Sequence, residues 1–399
     1  MYITYKFRMY HSRKTRHITE EIDIAGRIWN HCVAFQRTYY RLYKKICPRF
    51  KLSGHITKLR RRNSEWRKVG AQSVQCLIER LDIAYSRFIN WHKTRVGPRC
   101  GLPGFKKVTK YSSVTRNQSG WKLLEPKIDR SSNIQYGRVR LSGRDYKFVQ
   151  SRQVEGEIKT VTVKRDTRGC LWVCFIAKIP PSPKQSIDPA KTAGFDFGLK
   201  DFLTSDDGST IQSPQWHKFA RLAIARLDRS LSRKIPGSGN HRKAKRLIAN
   251  KHRKVASQRL DWMYKLSHAL LERYDALYFE DLSLGGMMAL WGRKVTDLAF
   301  GKFIITIKHV AEKTGKHVYQ VSQWEPTTKT CSLCGHIQAM GLNDRIFNCG
   351  SCNAVIQRDV NAARNIKRLG HEADGLGSIR PLETVAIAVG SQEFSGTLH

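Results

Sequence analysis

AGFDFGLKDFL, from Ala193 to Leu203, is the stretch on which the reading of the fold turns. Its alternation puts Phe195 and Phe197 on one face of a strand and Asp196 on the other. Gly194 and Gly198 bracket the carboxylate and leave room for another backbone, or a phosphate, to come close. Asp207-Gly208 is a hairpin signal, so 201–205 and 209–212 are expected as two further short strands. A lone aspartate in a strand is ordinarily a rim or turn residue. Its weight here comes from two later carboxylates: Glu280, after the apolar run 276–279, and Asp359, shortly after a cluster of four cysteines. Three carboxylates far apart in sequence, each at the edge of an expected element, are the ligand set that a two-metal phosphodiester cutter requires. Spacing alone does not choose them over their neighbours Asp201, Asp206, Asp207 and Asp281.

The chain has 399 residues, enough for two or three domains with proper cores, and its 40% hydrophobic content is that of a globular protein. Seventy-two Lys and Arg against 32 Asp and Glu give a formal charge of +40. Such an excess opposes folding through self-repulsion, and a polyanion relieves it. Because the basic residues run along the whole chain, nucleic acid is the expected partner and a membrane surface the weaker reading. No run of 18 apolar residues occurs, and MYITYKFRMYHSRKTRH lacks the apolar centre of a signal peptide. Six of the ten cysteines (Cys32, Cys47, Cys76, Cys100, Cys170, Cys174) are scattered, as reduced thiols are. The expected compartment is therefore the cytosol, or the nucleoid of a bacterium. No GxSxG, P-loop or dinucleotide signature supports a serine hydrolase, an NTPase or a dehydrogenase, and no small-molecule substrate is expected.

Taken in order, 1–10 alternates as a strand carrying Lys6 and Arg8, and 22–46 has helical spacing up to Pro48. The run KLRRRNSEWRK (58–68) is too basic for an ordinary solvated face. Arg60, Arg61, Arg62 and Trp66 are its candidates for phosphate and stacking contacts. A second amphipathic helix is expected over 74–92. After the break GPRCGLPGF (97–105) the period becomes 2, and strands are expected at 122–124, 134–141, 147–149, 158–164 and 171–179. PPSP (180–183) reads as a linker. Helices are expected over 219–231 and 241–274, the second with a basic stripe: Arg242, Lys243, Lys245, Arg246, Lys251, Arg253 and Lys254. Its density suggests a phosphate track, although a solubilising face is the plainer alternative. The strand ending at Glu280, a helix over 303–314 and a strand over 318–322 follow. Periodicity fades past about residue 370, where a tail is expected.

Cys331-x2-Cys334 and Cys349-x2-Cys352 have the spacing of a four-thiolate zinc ribbon. Each pair can form a knuckle presenting two sulfurs to one ion. Gly335 after the first pair, and Asn353 after the second, suit the positive φ that such a turn needs. Two redox pairs or buried thiols are the plainer alternative. A zinc held by four thiolates has no open position, so its role would be structural.

Together, GFDFGLKDFLTSDDG, GSGNHRKAKRL, YFEDLSL and TKTCSLCG…CGSC…RDVNAARNIKR resemble TnpB, the RNA-guided nucleases of insertion sequences related to compact type V CRISPR effectors. YKFRMYHS, QCLIERLDIAYSRF and GLPGFKK extend the resemblance, which runs from about residue 2 to residue 369. It implies a multidomain α+β chain. A wedge-type β-barrel (1–10 and 111–185) would carry an inserted helical recognition domain (11–110). A RuvC-like, RNase H-like nuclease domain (186–324 and 358–370) would carry the zinc ribbon (325–357) as its target-nucleic-acid-binding insert, and 371–399 would be a disordered tail. The resemblance further implies Asp196, Glu280 and Asp359 as ligands of two Mg²⁺ ions, one structural Zn²⁺, and a guide RNA and target double-stranded DNA as partners. Cutting would occur beside a short motif that the protein reads. Two departures stand out: Gln357 occupies a position usually acidic in the family, and Asn353 replaces the usual knuckle glycine. A guided repressor that does not cut and a transposase performing strand transfer are the alternative activities.

Overall fold

A computed structural model of the chain describes residues 1–128, 135–283, 286, 287, 292, 295, 297–341 and 344–376. The expected strand start at 134 and most of the expected tail lie outside them. The chain divides into two compact units between Pro180 and Pro181, within the PPSP segment.

The first unit is built on β1 (Tyr2–Arg8), in which Ile3, Tyr5 and Phe7 are buried and their neighbours exposed. It pairs antiparallel with β7 (Leu171–Lys178), which pairs with β6 (Glu157–Arg165), and that in turn with β2 (Ser113–Arg116). A second sheet holds β3 (Trp121–Ile128), β4 (Gln135–Leu141) and β5 (Arg144–Phe148). The two are joined by a bridge from Met9 to Phe148. They share a core in which the Phe148 ring lies 5.2 Å from Phe7 and 5.5 Å from Phe175.

Four helices are inserted between β1 and β2: α1 (Thr15–Tyr43), α2 (Arg49–Arg62), α3 (Ser64–Arg67) and α4 (Ala71–Thr94). The long α1 is fastened to the sheet by two ion pairs. One is fully buried, Arg116 Nη2 lying 2.6 Å from the Glu21 carboxylate; the other joins Arg165 to Asp23 at 2.7 Å. Removing one partner of such a buried pair strands the other charge, at a cost of about 3–5 kcal/mol. The first helix differs from expectation: it begins at Thr15, and Lys44 in the left-handed region ends it before Pro48. Pro48 is instead the cap of α2, a helix whose weak apolar pattern hid it. Only Leu52 and Ile56 are buried there, among six Lys and Arg.

The second unit centres on β8 (Thr192–Asp196) and β11 (Ala276–Glu280), which run parallel and are almost wholly buried. Unbroken apolar runs such as ALYF are what a strand covered on both faces requires. β12 (His317–Val321) extends the sheet in parallel beyond β11. On the other side β9 (Leu203–Ser205) and β10 (Thr210–Ile211) add antiparallel through the expected Asp-Gly turn, where Gly208 has φ +90°. The order is thus β10-β9-β8-β11-β12.

Over one face lie the basic pair α5 (Trp216–Ser232) and α6 (Gly239–Arg273), with α7 (Phe300–Thr314). Their apolar sides meet Phe195, Phe197 and Phe279, and the rings of Phe195 and Phe197 both stack on Phe279. On the other face α8 (Arg358–Ala373) sits so close that a Cβ on Gly194 would lie 2.2 Å from the Ala363 carbonyl oxygen. Only glycine permits that approach. α8 continues three residues past the expected end, because His371 is buried, its Nε2 2.6 Å from Thr192 Oγ1.

Candidate active site and metal centre

Asp196 closes β8 and Glu280 closes β11. The parallel register opposes Phe195 to Phe279, so the next residue on each strand, Asp196 and Glu280, falls side by side at the carboxyl-terminal edge of the sheet. Open α/β sheets place their ligands at this edge. Asp359 arrives from a different direction, as the second residue of α8, the helix packed on Gly194. Asp196 lies near enough to the other two to feel their charges. Asp196 is 8% exposed, and burial first, then the charges of Glu280 and Asp359, raise its carboxyl well above the usual range. Burial, followed by Asp281, pushes Glu280 up to about 7.

Such crowding of buried acids is costly without a cation and favourable with one. The donors are hard carboxylate oxygens, which suits Mg²⁺ rather than a thiophilic ion. Three of the four neighbouring acids have other duties. Asp206 pairs with Lys367 at 2.9 Å and accepts from the Gly194 N–H, Asp207 caps the hairpin at Ser209, and Asp281 accepts from Gln320.

The four cysteines form the compact set that their spacing suggests. Their sulfurs all lie within 4.8 Å of one another, the near pairs being Cys331–Cys352 at 3.7 Å and Cys334–Cys349 at 3.6 Å. Four Zn–S bonds of about 2.3 Å at tetrahedral angles would separate the sulfurs by about 3.8 Å. Both knuckles close as expected: Gly335 has φ +79° and donates to the Cys331 carbonyl, and Asn353 has φ +54° and donates to that of Cys349. A hairpin of β13 (Ile346–Asn348) and β14 (Val355–Gln357) carries the second knuckle straight into α8. The sequence reading did not assign the residues that join ribbon to helix. Asn361 accepts from the Ser332 N–H at 2.8 Å and donates to the Thr330 carbonyl at 2.7 Å. Asn365 donates to the carbonyls of Thr327 and Thr330. Two asparagines four apart on an alanine-rich helix face were the available signal, since asparagine is a poor helix former unless its amide is used.

Residues 300–366, which span α7, β12, the ribbon and the start of α8, match the family model described as "Cas12f1-like, TNB domain". Residues 174–290, including Asp196 and Glu280, match the one described as "Probable transposase". A Streptomyces pristinaespiralis protein named "Putative RNA-guided DNA endonuclease" is 29% identical over 80% of this chain and 78% of its own length. A TnpB-like protein of Acanthamoeba polyphaga mimivirus is 31% identical over 53% of this chain and 43% of its own. The chain is similar to TnpB-like proteins and to proteins named as RNA-guided DNA endonucleases.

Solved structures agree at the level of fold. The chain aligns with Cas12f1 in its complex with single-guide RNA and target DNA at TM-score 0.54 and 16% identity, over 89% of this chain and 83% of that one. It aligns with the mini-RNA-guided endonuclease CRISPR-Cas_phi3 at TM-score 0.54 and 9% identity, over 92% of each. In the structure, the expected nucleic-acid residues divide. In α6 the side chains of Arg242, Lys243, Lys245, Arg246, Lys251 and Lys254 are exposed and Arg253 is half-buried, along a helix of 35 residues. Arg60, by contrast, is turned inward, its Nη2 donating to the Val69 carbonyl at 2.6 Å and its Nε to that of Trp66. Trp66 packs edge-on against His31 and on the core. Arg61 and Arg62 alone of that cluster face solvent. The segment turns back at Asn63, and the Arg60 guanidinium satisfies the carbonyls freed there.

Proposed function

We propose that the chain is an RNA-guided DNA endonuclease, binding a guide RNA from its own transposable element and cutting target DNA beside a short motif. One observation carries this reading. Asp196, Glu280 and Asp359 converge from two parallel strands and a helix N-terminus at the carboxyl edge of one sheet, where Asp196 is buried amid the other two charges. In this reading 186–324 and 358–370 are a RuvC-like nuclease, interrupted by the zinc ribbon, and the sheets of the first unit are a wedge-type barrel carrying the helical recognition domain. Two Mg²⁺ ions held by the three carboxylates would supply the attacking hydroxide and stabilise the leaving 3′-oxygen. The chain's own part is to hold the carboxylates rigidly at one edge and to exclude competing ligands from it. Four thiolates would hold one structural Zn²⁺.

The +40 charge, and the α6 stripe with Arg61 and Arg62, suit backbone contacts with RNA and DNA, leaving most sequence recognition to base pairing. Among the described residues no helix is long and apolar enough to cross a membrane. The bacterial cytosol or nucleoid is the proposed site of action. The match to a transposase model keeps strand transfer as a second reading. Purified protein with its co-purified RNA, a plasmid bearing the matching target, and Mg²⁺ decides among these. Linear plasmid only when guide and metal are both present supports the endonuclease. Guided retention without cutting supports a repressor, and joined products support strand transfer.

A further inference from the structure

The helix that delivers Asp359 is held at its two ends by different parts of the molecule. Its C-terminal half is tied to the sheet, through Lys367 to Asp206 at 2.9 Å and through His371 to Thr192. Its N-terminal half also touches the sheet at Ala363, and Arg364 Nε donates to the Asp206 carbonyl at 3.2 Å, but the polar anchors of Arg358, Asn361 and Asn365 belong to the ribbon. Asn361 and Asn365 are 0% and 1% exposed, and between them they engage Thr327, Thr330 and Ser332, which flank or enter the first knuckle. The Arg358 N–H donates to the Arg345 carbonyl and its Nη1 to the Asp344 carbonyl, while its Nε donates to Asp359 itself at 3.1 Å. Asp359 is thus framed by residues whose own positions depend on two knuckles of a small module, and small modules of this kind fold on their metal. The asparagine amides are fully enclosed, so losing Asn361 would strand the Ser332 N–H and losing Asn365 the Thr327 carbonyl, while the Thr330 carbonyl would keep one of its two donors.

We propose that Asn361 and Asn365 are positioning residues of the active site. They clamp the first knuckle onto the opening turns of α8, and so make the placement of Asp359 conditional on a folded, metal-loaded ribbon. The ribbon is then a structural wall of the cutting centre as well as a surface for nucleic acid. This rests on the nuclease reading above. It predicts that loosening the clamp weakens the carboxylate site for Mg²⁺ before it weakens guided binding, because affinity for DNA comes from charge and base pairing elsewhere.

The test uses the full-length protein with its guide RNA and compares Asn361→Ala and Asn365→Ala with wild type. Expected is one zinc per chain in both variants, guided target binding within about threefold of wild type, and a rise of about tenfold or more in the Mg²⁺ needed for half-maximal cutting, the usual scale for a lost outer-shell partner. Hydrogen exchange provides a readout independent of activity. Amides of 359–363 should exchange faster in the variants, with 367–371 and the β13–β14 hairpin unchanged. Removing zinc from wild type with a chelator should produce the same faster exchange at 359–363. An unchanged Mg²⁺ requirement, or protection of 359–363 that survives chelation, overturns the proposal. Should a variant lose zinc or fail to fold, the chelation experiment on wild type still decides. Should wild type not cut at all, the nuclease reading fails, and the exchange measurements judge the clamp by themselves.

Discussion

The four sulfurs and the three carboxylates are two candidate sets of metal donors, and they are built in opposite ways. The sulfurs come from two short knuckles, lie within 4.8 Å of one another, and owe their geometry to local turns at Gly335 and Asn353. The carboxylates come from β8, β11 and α8, which are 84 and 79 residues apart in the chain, and they are brought together only by the tertiary fold. Local sets depend on their metal to exist. Dispersed sets exist because of the fold and are strained until a metal arrives. That difference tells which perturbation should damage what.

The largest effect is expected at the dispersed set. Asp196→Ala, Glu280→Ala and Asp359→Ala should each lower guided cutting on the order of a thousandfold or more, because each removes several kcal/mol of metal-dependent stabilisation. Filter binding of guided target DNA should stay close to wild type. A variant that still cuts at full rate removes its residue from the site. Next comes the local set: Cys331→Ser or Cys349→Ser should release the zinc, and elemental analysis should fall from one ion per chain towards none. Limited proteolysis should then open within 325–357, since zinc binding is the folding free energy of such modules. Freshly purified wild type without zinc would sink the assignment.

A third and smaller effect separates strain from local order. Glu280 is pushed from 4.5 up to about 7, so the folded chain holds this proton more tightly than the unfolded one. The contribution to stability is fully present below about pH 4.5 and is lost as pH rises through about 7. Glu280→Gln, which cannot ionise, should therefore leave the metal-free protein about 1–3 kcal/mol more stable than wild type at pH 8, and should give no gain near pH 4. Urea unfolding at the two pH values checks this, and adding Mg²⁺ should shrink the difference at pH 8. A gain of equal size at both would mean that the substitution acts through packing alone. The smallest effect is at the surface. Replacing Arg61 and Arg62 together should flatten the salt dependence of target binding by roughly one unit of slope per lost phosphate contact, equally for unrelated guides. An unchanged slope would make them a solvated face.

How much was legible in the sequence follows the same division. The four-cysteine cluster was legible to the residue, positive φ at Asn353 included, because knuckle geometry is written within a few positions. So was the strand that ends in Glu280, whose unbroken apolar run leaves few alternatives, whereas Asp196, expected in the middle of an alternating strand, instead ends one. The choice of Asp359 over Asp201, Asp206, Asp207 or Asp281 was not available from spacing. It depends on α8 lying against Gly194, a contact across 169 residues. Arg60 misled for a related reason, since composition marks a charge as basic but does not tell whether it faces water or the carbonyls of a turn. The clamp formed by Asn361 and Asn365 was overlooked because their partners lie 29–38 residues earlier.

The pairing of β1 with β7 has a consequence for how the first unit is made. Tyr5 opposes Phe175, so β1 leaves the ribosome well before its partner, which lies 170 residues later in the chain. At about 5–20 residues per second, that is an interval of roughly 9–35 s. During it α1 to α4 can form from local contacts, but Ile3, Tyr5 and Phe7 have no sheet to enter, and the Glu21 carboxylate has no Arg116 until about 95 further residues have been added. The nascent chain thus carries an exposed, strand-forming, aromatic segment until β7 has been made. An unpaired strand of this kind pairs readily with other chains, so misassembly is expected in this interval, before Leu171–Lys178 emerges.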